Sequence, residues 1–124
     1  MIILDGGLGR ELKAMGAPFR QPEWSALALM EGPDFVRAAH DAFIEAGADI
    51  ITTNSYSIVP FHIGEAAFRN RAGELLDLAG QLAKLAAKAS PRVVQVAGGV
   101  PPMFGSYQPD KFDAGRASEM MVLF

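Results

Sequence analysis

Cysteine is absent from this chain of 124 residues. Without thiols the chain forms no disulfide and offers a metal ion no thiolate ligand. Clustered positive charge is missing as well, because 11 Lys and Arg residues are scattered along a chain with a net charge of -3. Such a distribution leaves no electrostatic footprint for nucleic acid or for an anionic membrane, so we expect neither as a partner.

Long apolar runs are also lacking. No stretch approaches the roughly 18 apolar residues that span a bilayer, and Met1 is followed directly by Ile2-Ile3-Leu4-Asp5, without the basic region or cleavage site of a secretory leader. We therefore expect a cytoplasmic protein. Hydrophobic residues make up 50% of the chain and charged residues 20%, which is typical of a folded chain. The length suits one piece spanning residues 1–124 and no second domain.

Three β-like runs occur along the chain, at residues 2–4, 50–53 and 93–97. Each is almost continuously apolar and ends in small or polar residues. Runs of this kind are typical of parallel strands that are buried on both faces.

Helical patterns separate these runs. One helix is predicted from the Pro33-Asp34 start signal to the Gly47 stop, with an apolar face made of Phe35, Ala38, Ala39, Ala42, Phe43 and Ala46. Another is predicted from about Phe68 to Lys88, before Pro91, with a stripe made of Leu75, Leu76, Ala79, Leu82, Ala83 and Ala86. A third is predicted over residues 114–124.

The alternation of strands and helices predicts an α/β fold but leaves two architectures open. About three βα units could be the N-terminal part of a (β/α)8 TIM barrel, which needs eight strands and about 250 residues. They could also form a small doubly wound sheet of three or four strands. The uncapped apolar end of the third predicted helix favours the N-terminal portion of a longer protein. An unclosed sheet would leave an open strand edge.

Ligands bind at the carboxyl ends of parallel strands in both architectures, so the residues just after each run are the candidate site. Asp5, Gly6 and Gly7 follow the first run. Glycines allow a sharp turn, while Asp5 could accept hydrogen bonds from a ligand ammonium or cap the following helix. The glycine spacing does not match a dinucleotide-binding fingerprint.

The second run ends in the polar cluster of residues 53–57, Thr-Asn-Ser-Tyr-Ser. Uncharged donors and acceptors suit a small zwitterionic substrate, although the same residues are ordinary turn formers. The third run leads into a loop at residues 98–109 that is rich in Gly and Pro, a composition that fits a lid or pocket wall as well as a plain loop.

Three further side chains need an interpretation. Trp24 precedes a helical segment and could pack in the core or line a pocket. His40 lies in a predicted helix away from its apolar stripe, and His62 follows Pro60-Phe61. Neither histidine has a partner at metal-ligand spacing, so both are interpreted as structural.

Four motifs in order carry a family resemblance. They are Leu4-Asp5-Gly6-Gly7, Pro22-Glu23-Trp24-Ser25, the eleven residues from Ala46 to Tyr56, and Ala97-Gly98-Gly99. Together they resemble the homocysteine S-methyltransferase family, which includes betaine-homocysteine methyltransferase and the homocysteine domain of cobalamin-dependent methionine synthase. The resemblance implies a (β/α)8 TIM barrel, of which this chain would be the N-terminal half. It also implies methyl transfer to the thiol of homocysteine, forming methionine, from a sulfonium, betaine or folate-type donor.

The resemblance implies substrate-binding roles for eight residues. Asp5 would accept hydrogen bonds from the homocysteine amino group, and the two glycines that follow it would allow the substrate to approach closely. Thr53 would contact the substrate. Trp24 and Ser25 would form a pocket wall near the methyl donor. The full set is Asp5, Gly6, Gly7, Trp24, Ser25, Thr53, Asn54 and Tyr56.

The resemblance further implies a zinc ion held by three cysteines, which lowers the pKa of the homocysteine thiol. These cysteines have no counterpart here. We therefore expect no metal ligand and no activity from these residues alone, with the zinc ligands lying elsewhere. The alternative is a non-catalytic α/β module that self-associates as a homo-oligomer, or docks a partner chain, through its open sheet edge.

Overall fold

The computed structural model describes residues 1–99 together with the backbone of residues 122–123. This part of the chain contains five helices and three strands. The helices are α1 Leu8–Ala14, α2 Ser25–Glu31, α3 Pro33–Glu45, α4 Pro60–Ile63 and α5 Glu65–Ala89, and the strands are β1 Ile50–Thr52, β2 Gln95–Gly98 and β3 Val122–Leu123.

The sheet confirms the predicted parallel pairing of the second and third β-like runs. Strand β1 pairs in parallel with β2, with Ile51 opposite Val96. The first run is only partly a strand: it joins β1 through an isolated parallel bridge between Leu4 and Ile50. The Asp5 N–H donates to the Ile50 carbonyl at 2.9 Å. The segment at residues 2–4 therefore lies along β1 and delivers Asp5 to its carboxyl end.

Strand β3 corrects the third predicted helix at its last residues. Val122 and Leu123 are extended and pair antiparallel with Gly98 and Ala97 of β2. A short apolar run does not distinguish a strand from a buried helix by its pattern, and pairing with β2 satisfies backbone hydrogen-bonding groups. The rest of that predicted helix lies outside the described residues.

Helix α3 confirms the predicted start at Pro33 and the stop at Gly47, whose φ of 109° is a conformation that favours glycine. Its buried face differs from the prediction. Val36, Ala39, His40 and Ile44 are buried, whereas Phe35 is 37% exposed. The face is rotated because α3 packs against α1, α2 and α5 at once, and the bulkiest apolar residues do not all point toward these neighbours.

Helix α5 extends the second predicted helix by a few residues at its start. Of the predicted stripe, Leu75, Ala79, Ala83 and Ala86 are buried and Leu82 is partly buried, but Leu76 is 44% exposed. Helix α2, which has seven residues, follows Trp24, where a helical segment was expected without bounds. Helix α4 has no counterpart in the prediction because its four residues are too few to show a period.

Two apolar clusters hold these elements together. The first contains Leu12, Leu29, Val36 and Leu75 and joins α1, α2, α3 and α5. The second contains Ile44, Ile51, Ala83 and Val96 and packs α3 and α5 against the sheet. The helices thus hold the carboxyl end of β1 in place. No helix in the described part of the chain is both long and apolar enough to cross a bilayer.

Candidate functional site

Asp5 is held at the carboxyl end of β1 by Thr52. The Thr52 N–H donates to Asp5 Oδ2 at 2.7 Å, and Thr52 Oγ1 donates to Oδ1 at 3.0 Å. Burial raises the pKa of Asp5 above its ordinary value, and the two bonds from Thr52 act in the opposite direction. The alternative role of a helix cap is wrong, since Gly7 is the N-cap of α1 and no side chain in the described part of the chain caps this helix.

A cavity of about 350 Å³ opens at this strand end. It is lined by six of the eight residues predicted to bind substrate, together with Thr52. The six are Asp5, Gly6, Ser25, Thr53, Asn54 and Tyr56. The tertiary structure therefore brings together the residues that follow the first two β-like runs and the first residue of α2. We refer to this space as the polar cavity.

A second cavity of about 590 Å³, the aromatic cavity, adjoins the first and shares Gly9, Ser25 and Tyr56 with it. Its other walls include Phe19, Trp24 and Phe61. None of the described residues that line it is an Asp, Glu, Lys or Arg. Trp24 is thus a pocket residue: it is 40% exposed and meets Phe19 edge to face, with ring centroids 5.9 Å apart.

The backbone at Trp24 is in an uncommon conformation, with φ of 51° and ψ of -130°. Bulky residues rarely adopt a positive φ, and such strain persists where the surrounding structure enforces it. The Trp24 N–H donates to the Arg20 carbonyl at 2.7 Å and closes a tight loop over residues 20–24. This loop sets the position of the indole ring.

Buried hydroxyls organise the chain after β1. The hydroxyl oxygens of Thr53 and Ser55 lie 2.7 Å apart, and Ser55 Oγ donates to the Gly99 carbonyl at 2.6 Å. The Asn54 amide donates to the Ser25 carbonyl at 2.9 Å. These contacts tie the end of β1 to the end of β2 and to α2, and they give a polar wall to the cavity.

Of the eight predicted substrate-binding residues, Gly7 lines neither the polar cavity nor the aromatic cavity. Gly6 lies against Phe43, since a Cβ added at Gly6 would come within 3.0 Å of the Phe43 ring. Sequence reasoning missed Thr52 as the partner of Asp5. It included Ser55 in the polar cluster, but no motif signals the bond from Ser55 to the Gly99 carbonyl. Of the predicted loop at residues 98–109, only the first two residues are described.

The two histidines are buried in different environments. His62 lines the aromatic cavity, and its Nδ1 lies 2.8 Å from the Pro22 carbonyl oxygen. His40 belongs to the buried face of α3, which corrects its predicted position away from the apolar stripe. Neither ring nitrogen of His40 has a hydrogen-bond partner within the described part of the chain. Burial lowers the pKa of His40 to about 4.

The residues present do not fit the zinc site that the family resemblance implies. The sequence contains no cysteine, and residues 1–99 bring together no group of three or more His, Asp or Glu side chains that could hold a metal ion. The polar cavity can position a small molecule with hydrogen bonds and a carboxylate, but it offers no metal centre.

An α/β fold with a carboxylate and a polar loop at the carboxyl ends of parallel strands defines a class of α/β proteins in which small molecules commonly bind at these strand ends. Within this class, residues 2–122 match the family model described as homocysteine S-methyltransferase. The chain belongs to this family of methyltransferases, which confirms the resemblance seen in the sequence.

The relatives are plant and bacterial methyltransferases. Homocysteine S-methyltransferase 3 of Zea mays is 49% identical over 55 residues, which are 44% of this chain and 16% of the relative. Homocysteine S-methyltransferase 1 of Zea mays is 37% identical over 82 residues, 65% of this chain and 25% of the relative. A selenocysteine methyltransferase of Astragalus bisulcatus is 39% identical over 74 residues, 60% of this chain and 22% of the relative.

Among solved structures, the metallated form of the homocysteine methyltransferase MmuM from Escherichia coli superposes with a TM-score of 0.68 at 32% identity. The match covers 82% of this chain and 38% of the bacterial one. This chain therefore spans well under half the length of the relatives that it matches.

Proposed function

We propose that this chain supplies the homocysteine-binding part of an enzyme that transfers a methyl group to the homocysteine thiol and forms methionine. The observation that carries the proposal is the pair of adjoining cavities, one with an oriented carboxylate and one with aromatic walls. The polar and aromatic cavities meet at Ser25 and Tyr56, an arrangement that suits a reaction between two substrates.

In the polar cavity, Asp5 would accept hydrogen bonds from the homocysteine ammonium. The two bonds from Thr52 occupy only part of the acceptor capacity of the carboxylate, so lone pairs remain for a ligand. Charge-assisted hydrogen bonds of this kind are stronger than neutral ones. Gly6 also lines this cavity, and Thr53 and Asn54 add a polar wall.

The aromatic cavity would hold the methyl donor. A sulfonium or betaine donor is positively charged at the group that carries the methyl, and the faces of Trp24, Tyr56 and Phe61 attract cations. During transfer the homocysteine sulfur forms a bond to the methyl carbon, and the bond from that carbon to the donor heteroatom breaks. The electron pair of the broken bond stays on the donor, the donor group loses its positive charge, and the thiol proton is released.

The remaining strands of a (β/α)8 barrel and the zinc ligands would come from protein outside these residues. Support comes from the 38% coverage of the bacterial structure and from the absence of cysteine. On this proposal the chain alone binds homocysteine but does not methylate it. A homogeneous preparation of the 124-residue chain that held one zinc ion per molecule and methylated homocysteine would contradict this part of the proposal.

Thermal unfolding with added homocysteine tests the binding role. A ligand that binds only the folded chain raises the melting temperature in a concentration-dependent way. We expect this rise in the wild-type chain and its loss in Asp5→Asn. Asp77→Asn is the matched control, because it makes the same chemical change on the exposed surface of α5. A wild-type melting temperature that does not respond to homocysteine would refute the proposal.

A second candidate function, a self-associating module, is favoured by the exposed segment at residues 1–4. Ile2 is 69% exposed and Leu4 is 60% exposed. The Ile3 carbonyl accepts from the Ile50 N–H, and the Asp5 N–H donates to the Ile50 carbonyl. The backbone groups of Leu4, which lies between them, therefore face away from β1. An uncharged apolar edge of this kind can pair with another strand.

Sedimentation equilibrium distinguishes the two candidates. A dimer that Leu4→Lys converts to a monomer would support the self-associating module, and a monomeric wild-type chain would refute it. Leu85→Lys is the control, because Leu85 is an exposed apolar residue that lies on α5 and not in the segment at residues 1–4.

A further inference from the structure

His62 connects two parts of the aromatic cavity that are distant in sequence. It is buried, with 6% of its surface exposed, and lies on the short helix α4. Its Nδ1 lies 2.8 Å from the carbonyl oxygen of Pro22, which belongs to the loop at residues 20–24. The contact spans 40 positions of sequence.

This loop carries Trp24 in its strained conformation. The Trp24 φ of 51° is costly for a side chain with a Cβ, so neighbouring contacts must hold it. Within the loop, the Trp24 N–H bonds to the Arg20 carbonyl at 2.7 Å. From outside, His62 bonds to Pro22, two residues before Trp24. The salt bridge between Arg20 and Glu23 adds little, because Arg20 is exposed.

We propose that His62 is a positioning residue that clamps the loop at residues 20–24 and so holds the Trp24 indole against the aromatic cavity. A carbonyl oxygen is only an acceptor, so His62 Nδ1 must carry the hydrogen and donate it. The neutral ring is therefore the Nδ1–H tautomer, which fixes the orientation of the imidazole. The role of this clamp, the hydrogen bond from His62 to Pro22, in binding the methyl donor rests on the proposed function. The hydrogen bond and its effect on the position of Trp24 do not depend on that function.

Fluorescence tests the clamp directly, since Trp24 is the only tryptophan in the sequence. His62→Leu removes the donor, and His62→Asn has nearly the same shape as Leu but places an amide donor close to the position of Nδ1. Loss of one hydrogen bond should shift the loop toward open conformations about twofold to tenfold. We expect a higher acrylamide quenching constant in the Leu variant and recovery in the Asn variant, with unchanged far-ultraviolet circular dichroism. Equal quenching in all three chains would overturn the proposal.

A measurement on the wild-type chain covers the case in which the Leu variant does not fold. The sequence contains two histidines, so long-range ¹H–¹⁵N spectra can be assigned with His40→Leu and report the tautomer of each ring. We expect hydrogen on Nδ1 of neutral His62, and hydrogen on Nε2 would overturn the clamp. Both readouts are independent of homocysteine, so a chain that does not bind homocysteine can still confirm or refute the clamp.

Discussion

Asp5 and Thr52 make a two-point contact in which one residue orients the charge of the other. The backbone N–H and the hydroxyl of Thr52 each donate to a different carboxylate oxygen of Asp5, at 2.7 and 3.0 Å. The contact joins residues 47 positions apart at the carboxyl end of β1. It therefore couples the pairing of the N-terminal segment with β1 to the geometry of the proposed substrate site.

Thr52→Val should weaken homocysteine binding. The substitution keeps the backbone donor and the side-chain shape but removes the hydroxyl that donates to Asp5 Oδ1. The pKa of Asp5 should rise further, and the carboxylate should lose its fixed orientation. We expect a loss of about 1 kcal/mol in binding free energy, measured by calorimetry with homocysteine. Thr52→Ser, which keeps the hydroxyl, is the matched control, and an unchanged affinity in Thr52→Val would contradict the orienting role.

Asp5 should also make the stability of the chain depend on pH. Its pKa in the folded chain is raised above the ordinary value of 3.8, so between these two values the folded state holds more protons than the unfolded state. Stability is then greatest below about pH 4 and falls as the pH rises through the raised pKa. We expect the stability of wild type relative to Asp5→Asn to decline over this window, as measured by urea unfolding. A difference that stays constant with pH would contradict the shift.

His40 should act in the opposite direction. Burial lowers its pKa from 6.5 to about 4, so the unfolded chain binds the proton first as the pH falls. The free energy of unfolding is therefore not reduced by His40 above about pH 6.5. It falls as the pH drops from there to about 4, by roughly 3 kcal/mol in total. His40→Leu should remove this part of the pH dependence, together with two buried nitrogens that have no hydrogen-bond partner among the described residues. Urea unfolding at a series of pH values measures this dependence. Curves of stability against pH that run parallel for wild type and His40→Leu would refute the prediction.

Gly6 and Gly7 should respond differently to the same substitution. A Cβ at Gly6 would lie 3.0 Å from the Phe43 ring, whereas the nearest atom to a Cβ at Gly7 would belong to the Arg10 side chain, at 3.7 Å. We expect Gly6→Ala to cost about 1–3 kcal/mol through overpacking. Gly7→Ala should cost less than about 1 kcal/mol, mainly through a poorer helix cap. Thermal unfolding compares the two, and equal costs would show that the contact with Phe43 does not limit this position.

Ser55→Ala should destabilise the strand ends. Ser55 Oγ contacts the Thr53 hydroxyl and donates to the Gly99 carbonyl, and Ser55 is only 6% exposed. Removal leaves buried polar groups without this partner, at a cost of about 1–3 kcal/mol. Ser90→Ala, at the end of α5 where the hydroxyl bond is exposed, should cost far less. Urea unfolding measures both variants. A similarly small loss of stability in Ser55→Ala and Ser90→Ala would contradict the stabilising role of the Ser55 hydrogen bonds.

Much of the arrangement of helices and strands could be predicted from the sequence. The parallel pairing of β1 and β2 and the bounds of α3 follow from local signals, namely apolar runs, a Pro at the helix start and a Gly at its end. The shift in the buried face of α3, and with it the burial of His40, could not be predicted because it depends on which neighbours the helix packs against. Val122 and Leu123 fall within the helix predicted over residues 114–124, because a short apolar run does not distinguish a strand from a helix by its pattern.

By itself the sequence determined the fold class, the family and the residues that come together near Asp5, since parallel strands place their carboxyl ends at one edge. The absence of cysteine likewise excludes a thiolate zinc site from this chain. Only the tertiary structure decided that Thr52 is the partner of Asp5, that Trp24 lines a cavity and that His62 reaches Pro22. These contacts join residues tens of positions apart, and their geometry depends on how the helices and strands pack.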